Sequence, residues 1–419
     1  MQIDGSRKVP KTGLYSVILL LEGGRNIMID ANDIEVIYFI EDITVPCMTG
    51  KMIINDRYGL IEYGPFTGNE KINLKYGKNF DREMLFDIFK IGKIGQAGMH
   101  NPTADTQMEL YFVDTLFMPL TIKKYSRSFG TGAKFSDIIN HMLRNIIGLN
   151  SSFLKVNESI NTIDNYIIPW WTILQTINFL SDRAEDSKGA GCLFYNNTDN
   201  GFKVNFKSYN WLNSIDNYKE AKEYIFESGN VADENKILEY WINGLDKFSN
   251  KFLRGGKFLG YDFETKTLLE KDFDYSDGID SSILLGKTSL YPDISQIATV
   301  NLFGDTTEKM LENRAYSAWI KRYQKQLIVN FIVEGREDRY AGQQIEVKWP
   351  SVDKKQYYNK AFKGKYLIKT VTHMFGRDRS LPYKQRLVCI KNAYNNIDSK
   401  DLMSTTNYNI YDEGATKYN

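Results

Sequence analysis

Hydrophobic and polar residues alternate along most of residues 13–118. Ile72-Asn73-Leu74-Lys75-Tyr76 is typical, since a period of two gives a strand one apolar and one polar face. Similar stretches are Gly13–Leu21, Ile27–Ile29, Ile34–Ile40, Thr44–Asn55, Phe86–Ile91 and Glu109–Asp114. Pro46 stands at the start of its strand, where a missing N–H is tolerated. Turns are expected at 22–26, Gly64-Pro65 and Gly68-Asn69. Short strands without a long helix predict a closed or nearly closed barrel, which removes exposed edges.

Near Ser126 the period changes. Ile138, Ile139, Met142, Leu143, Ile146 and Ile147 share one face of a helix predicted over Phe135–Ile147 and stopped by Gly148. A second helix is expected after Pro169, with Trp170, Ile173, Leu174, Ile177, Leu180 and Ala184 on its stripe. A hairpin follows, with arms Gly191–Tyr195 and Phe202–Phe206. Together these predict a small α/β layer. Later, Asp305-Thr306-Thr307-Glu308 opens like a capping box, and its helix is expected to reach Tyr323 before a strand from Leu327 to Val333.

Five blocks of the first region recur downstream in the same order. Ile34–Ile40 matches Ile237–Ile242, and Gly50-Lys51 through Asp56 matches Gly256-Lys257 through Asp262. Ile72–Tyr76 matches Ile345–Trp349, Phe86–Ile91 matches Tyr366–Val371, and Glu109–Asp114 matches Arg386–Lys391. The pattern implies two copies of one β-unit, the second interrupted between Asp262 and Ile345. The fold class expected is mainly β with α+β insertions: two tandem barrels, a small α/β domain and a helical insertion. The boundaries are 1–122 for the first barrel, 123–230 for the α/β domain, and 231–275 with 327–394 for the second barrel. Residues 276–326 form the insertion and 395–419 a polar tail.

Composition adds limits. A chain of 419 residues suggests two to four domains. A net charge of +1 argues against a dedicated nucleic-acid binder, which needs a basic excess to displace counterions. No apolar run approaches the roughly 18 residues that span a bilayer, so no membrane insertion is expected. The N-terminal residues lack an apolar signal region, which points to synthesis in a cytoplasm. Cys47, Cys192 and Cys389 are solitary in apolar surroundings and read as buried small hydrophobes.

No reactive constellation emerges. His100, His141 and His373 are far apart and no zinc spacing occurs; His373 is expected as a half-buried polar group at a strand end. Gly286-Lys287-Thr288 ends like a phosphate loop, but Ser281 stands where its first glycine belongs. Asp272, Asp274 and Ser276 begin like a calcium loop, which then fails at Asp277 and Ile283. A glycosidase pair needs only spatial proximity, so the sequence does not test for it. Trp170-Trp171 has the surface to stack on a sugar, although helical spacing beside Ile173 and Ile177 puts at least one ring in the core. No catalytic residue, cofactor or metal is expected, and the chain is read as a non-enzyme.

The order of several stretches resembles the baseplate hub proteins of contractile phage tails, whose fold is shared with the hub part of type VI secretion spikes. The stretches are Pro169–Thr172, Ile177–Ala184, Leu193–Tyr195, Gly201-Phe202, Glu308–Tyr323 into Leu327–Gly335, Gly364–Ile368, Val371 with His373, and the strand closing at Ala393. The resemblance implies tube-like barrels and a homotrimer whose six units form a pseudo-sixfold ring. That ring would join a hexameric tail tube protein to a trimeric central spike protein in the virion baseplate. It would also meet other baseplate and tape-measure proteins, with DNA only as passing cargo. Tyr408 and Tyr411 in the tail are candidate partner contacts. A hub from a non-phage contractile injection system and a tail-associated cell-wall hydrolase are the alternatives.

Overall fold

The alternating stretches form strands β1 (Gly13–Leu20), β2 (Asn26–Ile29), β3 (Ile34–Asp42), β4 (Thr49–Asp56), β5 (Lys71–Gly77), β6 (Arg82–Gln96) and β7 (Thr106–Asp114). They are seen in a computed structural model that describes residues 13–392 apart from 31, 57–58, 61–65, 78–81, 97–105, 164–165, 188–190, 219–221, 226–234, 243–254, 263–264, 275–296, 304–326, 350–361 and 377–382. The inward positions are those the period of two selects: Ile72, Leu74 and Tyr76 of β5 are buried, while Lys71, Asn73 and Lys75 are not. Each aliphatic side chain withdrawn from water contributes on the order of 1.5–3 kcal/mol.

The helical layer comes next, with α1 (Phe117–Ile122), α2 (Phe135–His141) and α3 (Ile173–Ser181). The helix predicted to Ile147 is α-helical only to His141. It widens into a π-turn over Met142–Ile147 and ends at Gly148, whose φ of 88° is left-handed. There Leu149 N–H closes back on Leu143 O at 3.0 Å. α3 begins later than its apolar stripe suggests. Thr172 caps it reciprocally with Gln175, which leaves Trp170 and Trp171 outside the helix. Trp171 is half-buried, whereas Trp170 is 65% exposed with a φ of 45°. Strands β8 (Cys192–Asn197) and β9 (Lys203–Ser208) complete the layer, packed on the helices through Phe194, Val204 and Phe206.

Apart from short two- and three-residue strands between 124 and 172, the strands that follow are β10 (Lys222–Ile225), β11 (Ile237–Ile242), β12 (Gly255–Asp262), β13 (Thr267–Asp274), β14 (Ile297–Phe303), β15 (Leu327–Glu334), β16 (Gln344–Lys348), β17 (Gly364–Gly376) and β18 (Tyr383–Lys391). One 13-stranded sheet runs β11-β15-β18-β17-β3-β4-β7-β6-β5-β1-β2, with β16 on β17 and β10 on β16. The chain is therefore mainly β with helices set between its strands.

Within this sheet two runs of five strands have the same connectivity. The first is β3-β4-β7-β6-β5 and the second β11-β15-β18-β17-β16. Their registers agree residue by residue except at one place, a further bulge of β6 between Ile91 and Ile94 that β17 lacks. Leu110 faces Met52 and Ile91, as Leu387 faces Phe331 and Val371. Ile72 faces Phe86, as Ile345 faces Tyr366. Two bulges recur, one between Ile34 and Val36 and again between Ile237 and Glu239, the other between Ile88 and Lys90 and again between Ile368 and Thr370.

One of the five matched blocks is wrong. The Gly-Lys frame at Gly256 lies in β12, which pairs with β13 and β14 in a separate three-stranded sheet. The counterpart of β4 is β15, whose Val333, Ile332 and Phe331 stand where Ile54, Ile53 and Met52 do. A glycine, a lysine and an aspartate give a ladder no apolar face to recognise, so their spacing matched by coincidence. The second unit closes through a parallel bridge between Ile225 and Lys236. Among the described strands no ladder joins β2 to β3.

Candidate functional site: the buried junction

The two units meet where β3 pairs antiparallel with the second half of β17, from Val36 opposite Gly376 to Asp42 opposite Thr370. Strand parity turns Ile37, Phe39 and Glu41 of β3 inward, and all three are buried. A carboxylate in that row must find partners, because burying an unpaired charge costs several kcal/mol.

Glu41 has them from three other segments. Its Oε1 accepts from Thr198 Oγ1 at 2.5 Å and lies 2.8 Å from His373 Nε2, while Oε2 accepts from Ala341 N–H at 3.0 Å. On the other side of the ring, Nδ1 lies 2.7 Å from the Tyr383 hydroxyl. The His373 ring stacks on Phe39 with centroids 4.1 Å apart. Gln385 extends the chain, its amide donating to Tyr383 Oη at 3.1 Å and to Arg336 O at 2.8 Å. Gln385 Oε1 in turn accepts from Arg339 at 3.1 Å. Arg339, itself 0% exposed, also donates to Tyr224 Oη at 2.7 Å, to Asn235 Oδ1 at 3.1 Å and to Glu334 O. The network fixes segments that lie up to 332 residues apart in sequence.

Two further clasps lie beside it. Asp42 accepts from Lys369 Nζ at 2.5 Å, Thr370 Oγ1 at 2.6 Å and Thr44 Oγ1 at 2.6 Å. Burial pushes its carboxyl up, but these three donors outweigh burial and hold it below the usual range. Lys369 is the extra residue of the bulge in β17, so the bulge aims its side chain at the first unit. Asp114, at the end of β7, accepts from Met48 N–H at 2.6 Å, Leu116 N–H at 3.1 Å and Asn196 Nδ2 at 3.0 Å. It is 1% exposed, and burial pushes it up to about 6 despite those donors. Asn196 belongs to β8, so this bond ties the α/β layer to the first unit.

Geometry of this kind positions segments. Glu41, His373 and Tyr383 form a chain with acid–base elements, yet they are 0%, 0% and 3% exposed and their bonding capacity is directed at one another. His373 is thus fully buried inside β17, contrary to its expected half-buried place at a strand end. Its partner Glu41 comes from a distant strand, which local sequence does not reveal. His141 is elsewhere, beside Tyr125, Arg127 and Asn145, and burial together with Arg127 lowers its pKa. Cys47, Cys192 and Cys389 are free and buried. Among the described residues no His, Cys, Asp and Glu cluster suited to a metal occurs. His100, Tyr408, Tyr411, the helix expected over 308–323 and the Gly286-Lys287-Thr288 turn lie outside the described residues.

The residues that matter most at the junction, Glu41, Asp114 and Arg339, were missed from sequence. For Glu41 a signal was present: counting by two from Ile37 and Phe39 lands on it, and an acid on the apolar side of a strand marks a buried bond.

No family model matches the chain, and no curated protein sequence does. Solved structures do. A tail protein from Neisseria meningitidis MC58 aligns with 91% of this chain and 97% of its own at a TM-score of 0.56 and 12% identity. The 43 kDa tail protein of prophage MuSo2 from Shewanella oneidensis aligns with 90% of this chain and 98% of its own at a TM-score of 0.51 and 8% identity. An E. coli component of the type VI secretion system aligns with 90% of this chain and 77% of its own at a TM-score of 0.46 and 11% identity. The chain has the fold of these phage tail proteins.

Proposed function

We propose that the chain is a structural subunit of a contractile phage tail, a baseplate hub that works by fitting its neighbours rather than by catalysis. The observation that carries this reading is the pair of five-strand ladders, matched in connectivity and in two bulges and held edge to edge by a buried polar network. Three copies of such a chain would present six similar units around an axis. A threefold object can dock flush on a hexameric tail tube only if its contact surface repeats every 60 degrees, and tandem units supply that repeat. The strands outside the repeat keep the threefold identity that a trimeric central spike requires.

On this reading the partners are two further copies, the tail tube protein, the spike and other baseplate proteins, and the location is the virion tail. Near-zero net charge suits a conduit that DNA crosses without adhering. Tyr408 and Tyr411 are proposed as contacts for one of the neighbours. The experiment is a native mass measurement on the full chain, alone and mixed with the tube and spike proteins of the same particle. Three copies per complex are expected. A single copy in every mixture would overturn the reading, and so would peptidoglycan cleavage by the purified chain.

A further inference from the structure

The internal junction has a counterpart that the described chain leaves unmade. β6 stands in the first unit where β17 stands in the second, and β11 stands where β3 does. The second half of β17 pairs with β3. In the first unit the second half of β6, from Ile88 to Gln96, ladders only with β7 among the described strands. In the second unit β11 likewise ladders only with β15. The chain thus makes one of two equivalent joints and carries the two halves of the other.

We propose that the open edge of β6 pairs antiparallel with the open edge of β11 from a second copy, repeating between chains the joint that β3 and β17 make within one. The proposal rests on the hub reading and names the surface that reading lacks. The matched ladders supply the register. His373 and Ile94 occupy one position, since they face Gln385 and Met108. Phe39 and Ile242 occupy another, since they face Gly50 and Val329. The internal pairs His373–Phe39, Met374–Tyr38 and Phe375–Ile37 therefore become Ile94–Ile242, Gly95–Trp241 and Gln96–Tyr240 between copies. Gly95 carries no side chain, which leaves room for the large indole opposite it.

Two observations favour this occupant over any other strand. The bulge residue of β17, Lys369, is engaged across the internal joint by Asp42, whereas the bulge residue of β6, Phe89, is 55% exposed. Tyr240, on the open strand β11, is also exposed, at 41%. Neither edge carries proline, which would remove a ladder N–H; β6 does bear Lys90, Lys93 and a bulge between Ile91 and Ile94, so the pairing is assigned to the regular stretch from Ile94 to Gln96 beyond that bulge. The contact runs head to tail, so each chain uses each of these two edges once and the ring closes.

Disulfide trapping tests the register. Ile43 N–H donates to Lys369 O, so the alternate pairs of the internal joint, Met374–Tyr38 among them, are the closely spaced non-hydrogen-bonded ones. Gly95–Trp241 inherits that spacing. Under mild oxidation the full chain bearing Gly95→Cys and Trp241→Cys is expected to give a covalent trimer. A mixture of the two single variants is expected to stop at dimers, and the unaltered chain, whose cysteines are buried, to give neither. The spike protein is added where the chain alone is monomeric. A complex that is trimeric by mass but does not cross-link overturns the edge pairing and spares the hub reading; a chain monomeric in every mixture overturns both. Hydrogen exchange on the unaltered chain needs no mutation: amides of 94–96 and 239–242 are expected to slow about tenfold or more on assembly, and unchanged rates overturn the pairing.

Discussion

The two five-strand ladders share their connectivity and two bulges, and part by one residue only at the extra bulge of β6 between Ile91 and Ile94, yet they differ at almost every informative side chain. Gly50 facing Phe112 in the first unit becomes Val329 facing Cys389 in the second. Asp114 becomes Lys391, Phe89 becomes Lys369, and Ile94 becomes His373. The first unit has an apolar core of Met, Phe, Ile and Leu, while the polar network enters the second through Arg339, Gln385 and His373. The lesson is that backbone pairing and bulge position define the unit. Packing needs only to fill the same space, and polar residues collect where one unit must hold the other.

The largest effect expected separates the two cores. Arg339→Met should cost about 3–5 kcal/mol, because Tyr224, Gln385, Asn235 and the Glu334 carbonyl lose a shared buried donor. Denaturant unfolding measures it. A loss under 1 kcal/mol would mean that the network is ornamental and that the second unit is held by apolar packing, like the first.

Next come the buried charges at one shared position, which should act with opposite sign. Asp114 is raised from its ordinary 3.8 to about 6, so the folded state binds more protons than the unfolded one between those values. Its contribution is full below pH 4 and falls through pH 6, a loss of up to about 3 kcal/mol. Lys391 is lowered from 10.5 to about 8 by burial, so the folded state there binds fewer protons, and its contribution rises with pH between 8 and 10.5. Thermal midpoints against pH should lose the first slope in Asp114→Asn and the second in Lys391→Met. Slopes that persist in both variants would assign the pH dependence to other groups.

A smaller effect tests interchange between the units. A Cβ on Gly50 would stand 2.2 Å from the Phe112 ring and 2.6 Å from Tyr38 O, so Gly50→Val should cost about 1–3 kcal/mol. Adding Phe112→Cys, the second unit's solution, relieves the ring contact but not the one with Tyr38 O. The double variant should therefore be less destabilised than the sum of the singles by about 1 kcal/mol. Strict additivity would show that the two sites pack independently.

The smallest effect lies on the outer face. Lys51 and Glu109 pair at 3.0 Å, where the second unit has Asn330 and Arg386, so Lys51→Asn should cost under about 1 kcal/mol. A larger loss would point to the stacking of Lys51 over Tyr111 instead.

Much of this organisation was legible in the chain itself. Alternation of period two located β3 to β7 and β15 to β18, because one buried face imposes that rhythm locally. Four of the five repeated blocks aligned in their true register, since each holds an apolar pair at the same ladder position. The block built on glycine, lysine and aspartate did not, because those residues mark turns and surfaces rather than a buried face. The start of α3 also escaped, as Thr172 and Gln175 decide it through a cap rather than through hydrophobic period.

What the residues determined alone was therefore the strands of the two ladders, their inward faces and the fact of duplication, all consequences of local burial; β10, β13 and β14, the last inside the segment expected to be helical, were not among them. Tertiary structure alone decided that β3 joins β17, that β12 to β14 form their own sheet, and that Glu41 finds Thr198, Ala341 and His373. Those choices depend on which distant edges meet, and a hydrogen bond spanning 332 residues leaves no periodic trace in the sequence around either end.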